Sequence, residues 1–453
     1  MSLTRQDRKM TLFALTWPIF IEVMLHMLMG NADTLMLSQY SDNSVAAVGV
    51  SNQILFLLIV MFGFIATGTT ILVSQYLGAN NYKDAKGISS VSLSANLLIS
   101  IIISVVIVIA SEDILLLMNL PRELLPEATV YLQLVGGFSF IQALIMTASA
   151  ILKSYGYTKD TMYLTIGMNL INIIGNYLFI FGPFGFPVLG VQGVAISTVV
   201  SRIIGLIVIL YMLKQRVHFT INLKELFKLP THHLKNLLHI GVPTAGEQLS
   251  YNTSQMVITF FITMIGTEAL TTKIYTQNLM MFILLFSMAV SQGTQIMIGY
   301  LIGAKEYDSA YKRCLRSLYS GIVISTLMAI IFTIFSDPLL GIFTSNERIL
   351  EIGGTLILLT ILLEPGRAFN MVIIGSLRAA GDIRFPTYMG ILSMWGIAVP
   401  IAYILGIHYD LGLVGVWIAY ICDEWVRGII MLYRWKSRAW MTKSFSHRPA
   451  VSS

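Results

Sequence analysis

The sequence predicts an all-α integral membrane protein with twelve transmembrane helices arranged as two pseudo-symmetric lobes of six. Three observations predict it. Of the 453 residues, 56% are hydrophobic and only 11% charged, whereas soluble domains carry about 25% charged residues. Apolar runs long enough to cross a hydrocarbon core of roughly 30 Å follow one another along the chain. The chain also superposes on itself at an offset of 225 residues, the signature of an internal repeat.

The apolar runs lie at residues 11–38, 45–77, 88–111, 128–152, 161–182, 190–212, 237–263, 270–302, 318–336, 350–377, 385–405 and 411–433. The first is too long for the apolar region of a signal peptide and lacks a small-residue cleavage site, so it is expected to remain as a helix. Cys314 and Cys422 fall in a connection and in the last run, which offers no disulfide framework. The net charge of +6 suits nucleic acid in the abstract, but its placement argues for a membrane. Of the 29 Lys and Arg, 23 fall at the N-terminus, in even-numbered loops or at the C-terminus, while the odd-numbered loops hold only Arg122 and Arg348. Basic residues next to spans mark the cytoplasmic side, so both termini are expected there.

The repeat aligns residues 18–85 with 243–310 without a gap. Pro18 meets Pro243, Glu22 meets Glu247, Gly68-Thr69 meets Gly293-Thr294 and Gly78-Ala79 meets Gly303-Ala304; the polar pair Asn52-Gln53 falls on Gln277-Asn278. Further on, Leu152-Lys153 meets Leu377-Arg378, and after a three-residue deletion the stretch 189–194 meets 411–416. Six is an even number of crossings, so the halves run in the same sense about an axis along the membrane normal. The expected organisation is an N-terminal lobe at 1–213, a basic linker at 214–236, a C-terminal lobe at 237–434 and a cytoplasmic tail at 435–453. The linker reads as a tether, with an amphipathic surface helix as an addition.

A charge at the centre of a membrane helix costs about 2.5–3.5 kcal/mol on the insertion scale, so each must line water, find a partner or be neutralised. At 100° per residue, Glu22, His26 and Asp33 share one face of the first helix, with Asp33 roughly 16 Å beyond Glu22 along the axis. Pro18 precedes this stripe by one turn and removes a backbone bond, which permits a bend. A lone carboxylate such as Asp33 either binds a small cation, Na⁺ being the metal in view, or takes a proton. The bland alternative is capping of backbone or pairing with a buried Arg. Glu22 and His26 are spaced for an i, i+4 hydrogen bond, and the repeat partner Glu247 favours a scaffold role for both glutamates. Asn172 and Asn176 lie one turn apart in the fifth helix and Thr198 in the sixth, so three neutral oxygens are available to converge on Asp33; buried Asn is also common interhelical glue.

In the second half, Glu364 with Arg367 beside Pro365-Gly366, and Asp423 and Glu424 with Arg427, are spaced for local ion pairs, with substrate contact or gating by Arg367 as the other reading. Arg202 is expected to join such a pair and Lys273 to snorkel to the surface. The 24 Met and 11% aromatic residues suit a cavity for flat cationic compounds, though packing uses the same residues. Glu22, His26, Asn52, Gln53, Glu247, Gln277, Asn278 and Arg367 are therefore candidates for a substrate cavity or gate. No G-x-x-x-x-G-K-[ST], H-E-x-x-H or C-x-x-C sequence occurs, so no ATP site, catalytic metal or cofactor is expected, and His232 and His233 read as solvated linker residues.

Asn-Ala-Asp-Thr (31–34), the Gly78-Ala79 turn, Glu-Pro-Gly-Arg-Ala (364–368) and Ser-Leu-Arg-Ala-Ala-Gly-Asp (376–382) together resemble the multidrug and toxin extrusion family along essentially the whole chain. The resemblance implies a two-lobed transporter of the wider MOP type that alternates between outward and inward states and exports organic cations in exchange for Na⁺ or H⁺. It implies a coupling role for Asp33, with Asn172 and Asn176 matching the family's fifth-helix polar pair and Thr198 its sixth-helix hydroxyl. Two departures stand out. Where many archaeal and DinF-like members have a second acid, this chain has Asn176. The acids that NorM-type members use in the seventh and tenth helices fall on Tyr251 and Arg367, which concentrates coupling in the first lobe.

The expected function is multidrug efflux by antiport from the cell membrane, without enzymatic activity. Its partners would be small organic cations and the bilayer rather than nucleic acid, and the protein would act as a monomer. The alternative is export or flipping of an amphipathic lipid-linked or peptide-like cargo.

Overall fold

The protein is described here by a computed structural model covering residues 11–218 and 230–446. The expectations placed on the first ten residues, on the linker at 219–229 and on Arg448 fall outside the described residues.

Long apolar runs become long helices because every backbone polar group in a bilayer must be satisfied within its own segment. The first half comprises α1 (Leu12–Ser38), α2 (Asp42–Gly78), α3 (Tyr82–Leu117), α4 (Leu125–Gly136), α5 (Ser139–Ser154), α6 (Thr158–Phe181) and α7 (Val191–Val217). The second half comprises α8 (Thr231–Ile265), α9 (Thr267–Gly303), α10 (Tyr307–Ile334), a short α11 (Ser336–Gly341), α12 (Glu347–Ala379), α13 (Arg384–His408) and α14 (Gly412–Lys436). Among the described residues, nine helices are long and apolar enough to cross a membrane, and α4 with α5 forms a tenth span bent by 41°. The twelve are completed by α8 and α14. These two are the polar ones: α14 carries Asp423, Glu424 and Arg427, and α8 carries Glu247, Gln248, Asn252 and Gln255.

The fourth expected span is therefore interrupted. Its first part ends in a π turn at Leu132–Gly136, where a Cβ on Gly136 would come within 2.6 Å of Ile107 on α3; the missing side chain is what lets the two helices touch. The eleventh span contains π turns at Met394–Ala398 and Ile404–His408, on either side of Pro400. Proline has no N–H to give, and a wider turn absorbs the lost bond.

The described residues divide into two compact units, one of 11–20, 74–80 and 242–446, the other of 21–73, 81–218 and 230–241. We call them the Glu364 unit and the Asp33 unit. The grouping does not follow the chain halves, because the first turns of α1 and the last turns of α2 are built into the Glu364 unit. Phe20 stacks on Phe286 with ring centroids 3.9 Å apart. A Cβ on Gly78 would collide with the Tyr300 backbone, and one on its repeat mate Gly303 with the Gln75 backbone. Small residues at the crossing allow this close approach.

The segment after α14 is also folded. Trp435 and the fully buried Trp440 stack at 4.3 Å. Gln75, fully buried, donates to the Ala379 carbonyl at 2.6 Å and accepts from the Phe445 backbone N–H at 2.8 Å and the Ser444 hydroxyl at 3.1 Å. The tail expected after residue 434 is, as far as residue 446, part of the packed unit.

Candidate functional site

In the Asp33 unit, α1, α6 and α7 present a connected polar file. Asp33, 6% exposed, accepts a hydrogen bond at 2.6 Å from Asn176 Nδ2 through Oδ1. Asn176 also reaches Asn172 Oδ1 at 3.4 Å, and Asn172 Nδ2 donates to Thr198 Oγ1 at 3.1 Å. Asn172 and Asn176 are fully buried and Thr198 nearly so. The sequence suggests three oxygens converging on the carboxylate; the arrangement is instead a chain, with an amide N–H as the group that touches Asp33. Asn176 Oδ1 is buried without a partner. Nearer the start of α6, Asn169 donates to the Leu25 carbonyl of α1 at 2.9 Å. Asn169, Asn172 and Asn176 thus form a stripe along α6, readable in the sequence as a 3-then-4 spacing.

Closer to the start of α1, Glu22 pairs with Lys153 of α5 at 2.9 Å and accepts from Thr161 of α6 at 2.8 Å. The expected Glu22–His26 hydrogen bond is absent among the described residues. His26 is exposed and stands within electrostatic reach of Glu22, Lys153 and Arg202. Lys153, assigned to a loop by its sequence, is a buried-pair partner because its long stem reaches inward. Asn52 accepts from the Tyr131 hydroxyl at 3.3 Å, and Gln53 is exposed. Pro18 lies buried within α1.

The Glu364 unit repeats one of these features and replaces the other. Glu247 of α8 pairs with Arg378 of α12 at 2.5 Å, the repeat image of Glu22 with Lys153, with the partners 131 positions apart in both cases. The sequence carries the signal, since acid and base each recur at the same offset. The polar centre of this unit is an ionic cluster. Arg367 bonds Glu364 at 2.8 Å and lies 3.8 Å from Glu424. Arg427 pairs with Asp423 at 2.9 Å and Glu424 at 3.1 Å. Asn370 donates to Glu424 Oε2 at 2.6 Å, and Ser393 bonds Asp423. The two local pairs read from the sequence are thus one network across α12 and α14. Gln277 is half-buried and Asn278 exposed on α9.

Three other expectations are corrected. Arg202 forms no ion pair among the described residues; its Nε is buried without an acceptor, and its charge acts on Tyr131 and Asp33. Lys273 does not snorkel: it is 6% exposed and donates to the Thr259 hydroxyl at 2.5 Å. His232 and His233 are half-buried rather than solvated, with His233 3.8 Å from Asp84. Burial lowers the His233 pKa below its ordinary value, against the pull of Asp84.

Two packed helical units, apolar outside and with buried polar files across their helices, define a polytopic membrane transporter. The sequence profile described as MatE matches residues 18–178 and again 243–404, once in each half. The chain belongs to this multidrug and toxin extrusion family. It is 59% identical over 440 residues to the uncharacterized transporter YisQ of Bacillus subtilis, covering 97% of both chains. It is 27% identical to the probable multidrug resistance protein NorM of Thermotoga maritima, covering 95% of this chain and 94% of that one. The fold matches a crystal structure of MATE in complex with MaD3S at a TM-score of 0.88, with 20% identity and 98% and 100% coverage. It also matches a MOP superfamily transporter from Pyrococcus furiosus at a TM-score of 0.86, with 21% identity and the same coverage.

Proposed function

We propose that this transporter exports organic cations in exchange for H⁺ or Na⁺, with Asp33 as the coupling group. The observation that carries this reading is the 2.6 Å hydrogen bond from Asn176 to a carboxylate that has no cationic partner within ion-pair distance among the described residues. A buried acid in this setting gains or loses its charge by taking up a proton or small cation.

The Asn176 amide suits both states. Its N–H supports the carboxylate; rotated, the unpartnered Oδ1 accepts from the protonated acid, and with Asn172 Oδ1 and Thr198 Oγ1 it supplies neutral oxygens for Na⁺. Either occupant removes the negative charge that attracts a cationic drug. Exchange follows if ion and drug favour different states of the transporter. Pro18 gives α1 a place to bend as Asp33 changes state. The protein works as a monomer in the cell membrane with both termini cytoplasmic, the side marked by its basic loops.

The test is ethidium export from vesicles driven by a pH jump or by Na⁺. Wild type responds to one of the two gradients, and Asp33→Asn, which keeps the shape but cannot change charge, falls to background under both. Undiminished export by that variant would sink the assignment.

Arg202 favours a second reading. An unpaired guanidinium close to this site offers a counter-ion to an amphipathic cargo bearing an acid group. In that case Arg202→Gln abolishes transport of the acidic cargo and leaves ethidium untouched.

A further inference from the structure

The Glu364 unit carries an open groove of about 530 Å³ lined by Leu12 at the start of α1 and by Arg313, Leu315, Arg316, Tyr319 and Ser320 of α10. At 100° per residue Arg313, Arg316 and Ser320 fall within about 60° of one another, and Leu315 and Tyr319 form an adjacent stripe. One wall is cationic and hydroxylic, the other apolar.

Several other arginines of this unit have acids, as Arg434 with Asp382 at 2.7 Å and Arg438 with Asp308 at 2.8 Å, although Arg384 is in no ion pair among the described residues. Among the described residues neither Arg313 nor Arg316 has a carboxylate within ion-pair distance, although they stand one turn apart and repel each other. The apolar stretch of α10 begins at Leu318, so the groove lies at the level of the head groups, where aromatic residues such as Tyr319 also collect.

We propose that this groove binds the phosphodiester head of an anionic phospholipid, held by Arg313 and Arg316, with its acyl chains against Leu12, Leu315 and Tyr319. Arginine presents a planar fork of donors that matches a phosphate, and basic pockets between membrane helices are suited to acidic head groups. The chain's own N-terminus is a poor rival, because Arg5, Arg8 and Lys9 outweigh Asp7 and give it the same sign of charge. A lipid seated here would tie the beginning of α1, six residues before Pro18, to α10.

The test uses the full chain in nonionic detergent and native mass spectrometry. Phosphatidylglycerol, phosphatidylethanolamine and inorganic phosphate serve as probes. Wild type should retain phosphatidylglycerol over phosphatidylethanolamine, and the double variant R313Q/R316Q should retain it about 30-fold less, the loss expected for two basic groups at a membrane surface. R313K/R316K should keep part of the binding through charge alone. If the glutamine variant does not fold, Ser320→Phe fills the groove without changing charge and should expel the same lipid. Equal retention of the two lipids, undiminished retention in R313Q/R316Q or in a folded S320F, or displacement of the lipid by inorganic phosphate would overturn the proposal.

Discussion

The Asp33 and Glu364 units carry the same ion pair at the same repeat position and then part company. Glu22 with Lys153 and Glu247 with Arg378 each tie the first helix of a half to its fourth span. Deeper in, one unit holds a single carboxylate on a file of amides, while the other holds three carboxylates and two guanidiniums bonded to one another. Asp33 itself is replaced at the repeat position by Ile258, fully buried in an apolar cluster. In the cluster each carboxylate lies beside an arginine, so a change of charge on one is felt by the others, although Glu364 Oε2 and Arg427 Nε are buried without hydrogen-bond partners. A carboxylate supported by neutral amides is free to change. Duplication kept the fastening and changed the centre, to one carboxylate beside amides in one unit and to mixed acids and arginines in the other.

The largest effects are expected where a buried pair loses one member. Glu22→Gln and Glu247→Gln should each cost about 3–5 kcal/mol by leaving Lys153 or Arg378 unpaired, read as thermal unfolding in detergent. The two losses should be alike, and a silent variant in one unit alone would break the symmetry. Replacing both partners, as in E22Q/K153Q, should recover much of the loss.

A middle effect is expected at Asn176, whose hydrogen bond joins a charged group. Asn176→Ala should cost about 1.5–3 kcal/mol in the same assay, and should weaken ion-driven ethidium export more than Asn370→Ala, which removes one donor from a cluster that retains its arginines.

The smallest effect is expected at Arg202. With no ion pair to lose and a buried Nε that already lacks an acceptor, Arg202→Gln should leave stability unchanged or slightly raised, whereas Arg427→Gln should approach the cost of the pair deletions. A large loss at Arg202 would show that its charge is structurally engaged and would sharpen the contrast in the opposite direction.

Much of this design is legible in the sequence. Spans, repeat and family follow from the spacing of apolar residues and from identities such as Gly78 with Gly303, because a bilayer permits few alternatives to the helix. Asp33 is visible as an acid that is costly to place within an apolar run. The partners of these residues are harder to read. Lys153 and Arg378 sit at helix ends where sequence assigns solvent, and only the reach of their side chains brings them inward. For Arg202 and Lys273 the sequence suggests the wrong surroundings, since a one-dimensional pattern does not show which carboxylates lie across a helix contact.

Amino-acid order alone is thus enough to make this protein a twelve-span transporter of duplicated design with one unusual acid in its first helix. Periodicity and transfer cost act locally and are written along the chain. Which charges meet is settled only by tertiary packing: Asn176 turns its amide to Asp33, Arg367 and Arg427 gather three carboxylates, and the ends of α1 and α2 pack in the unit of the opposite half. Most of these outcomes depend on distances between residues far apart in the chain, and helical periodicity carries no information at that range.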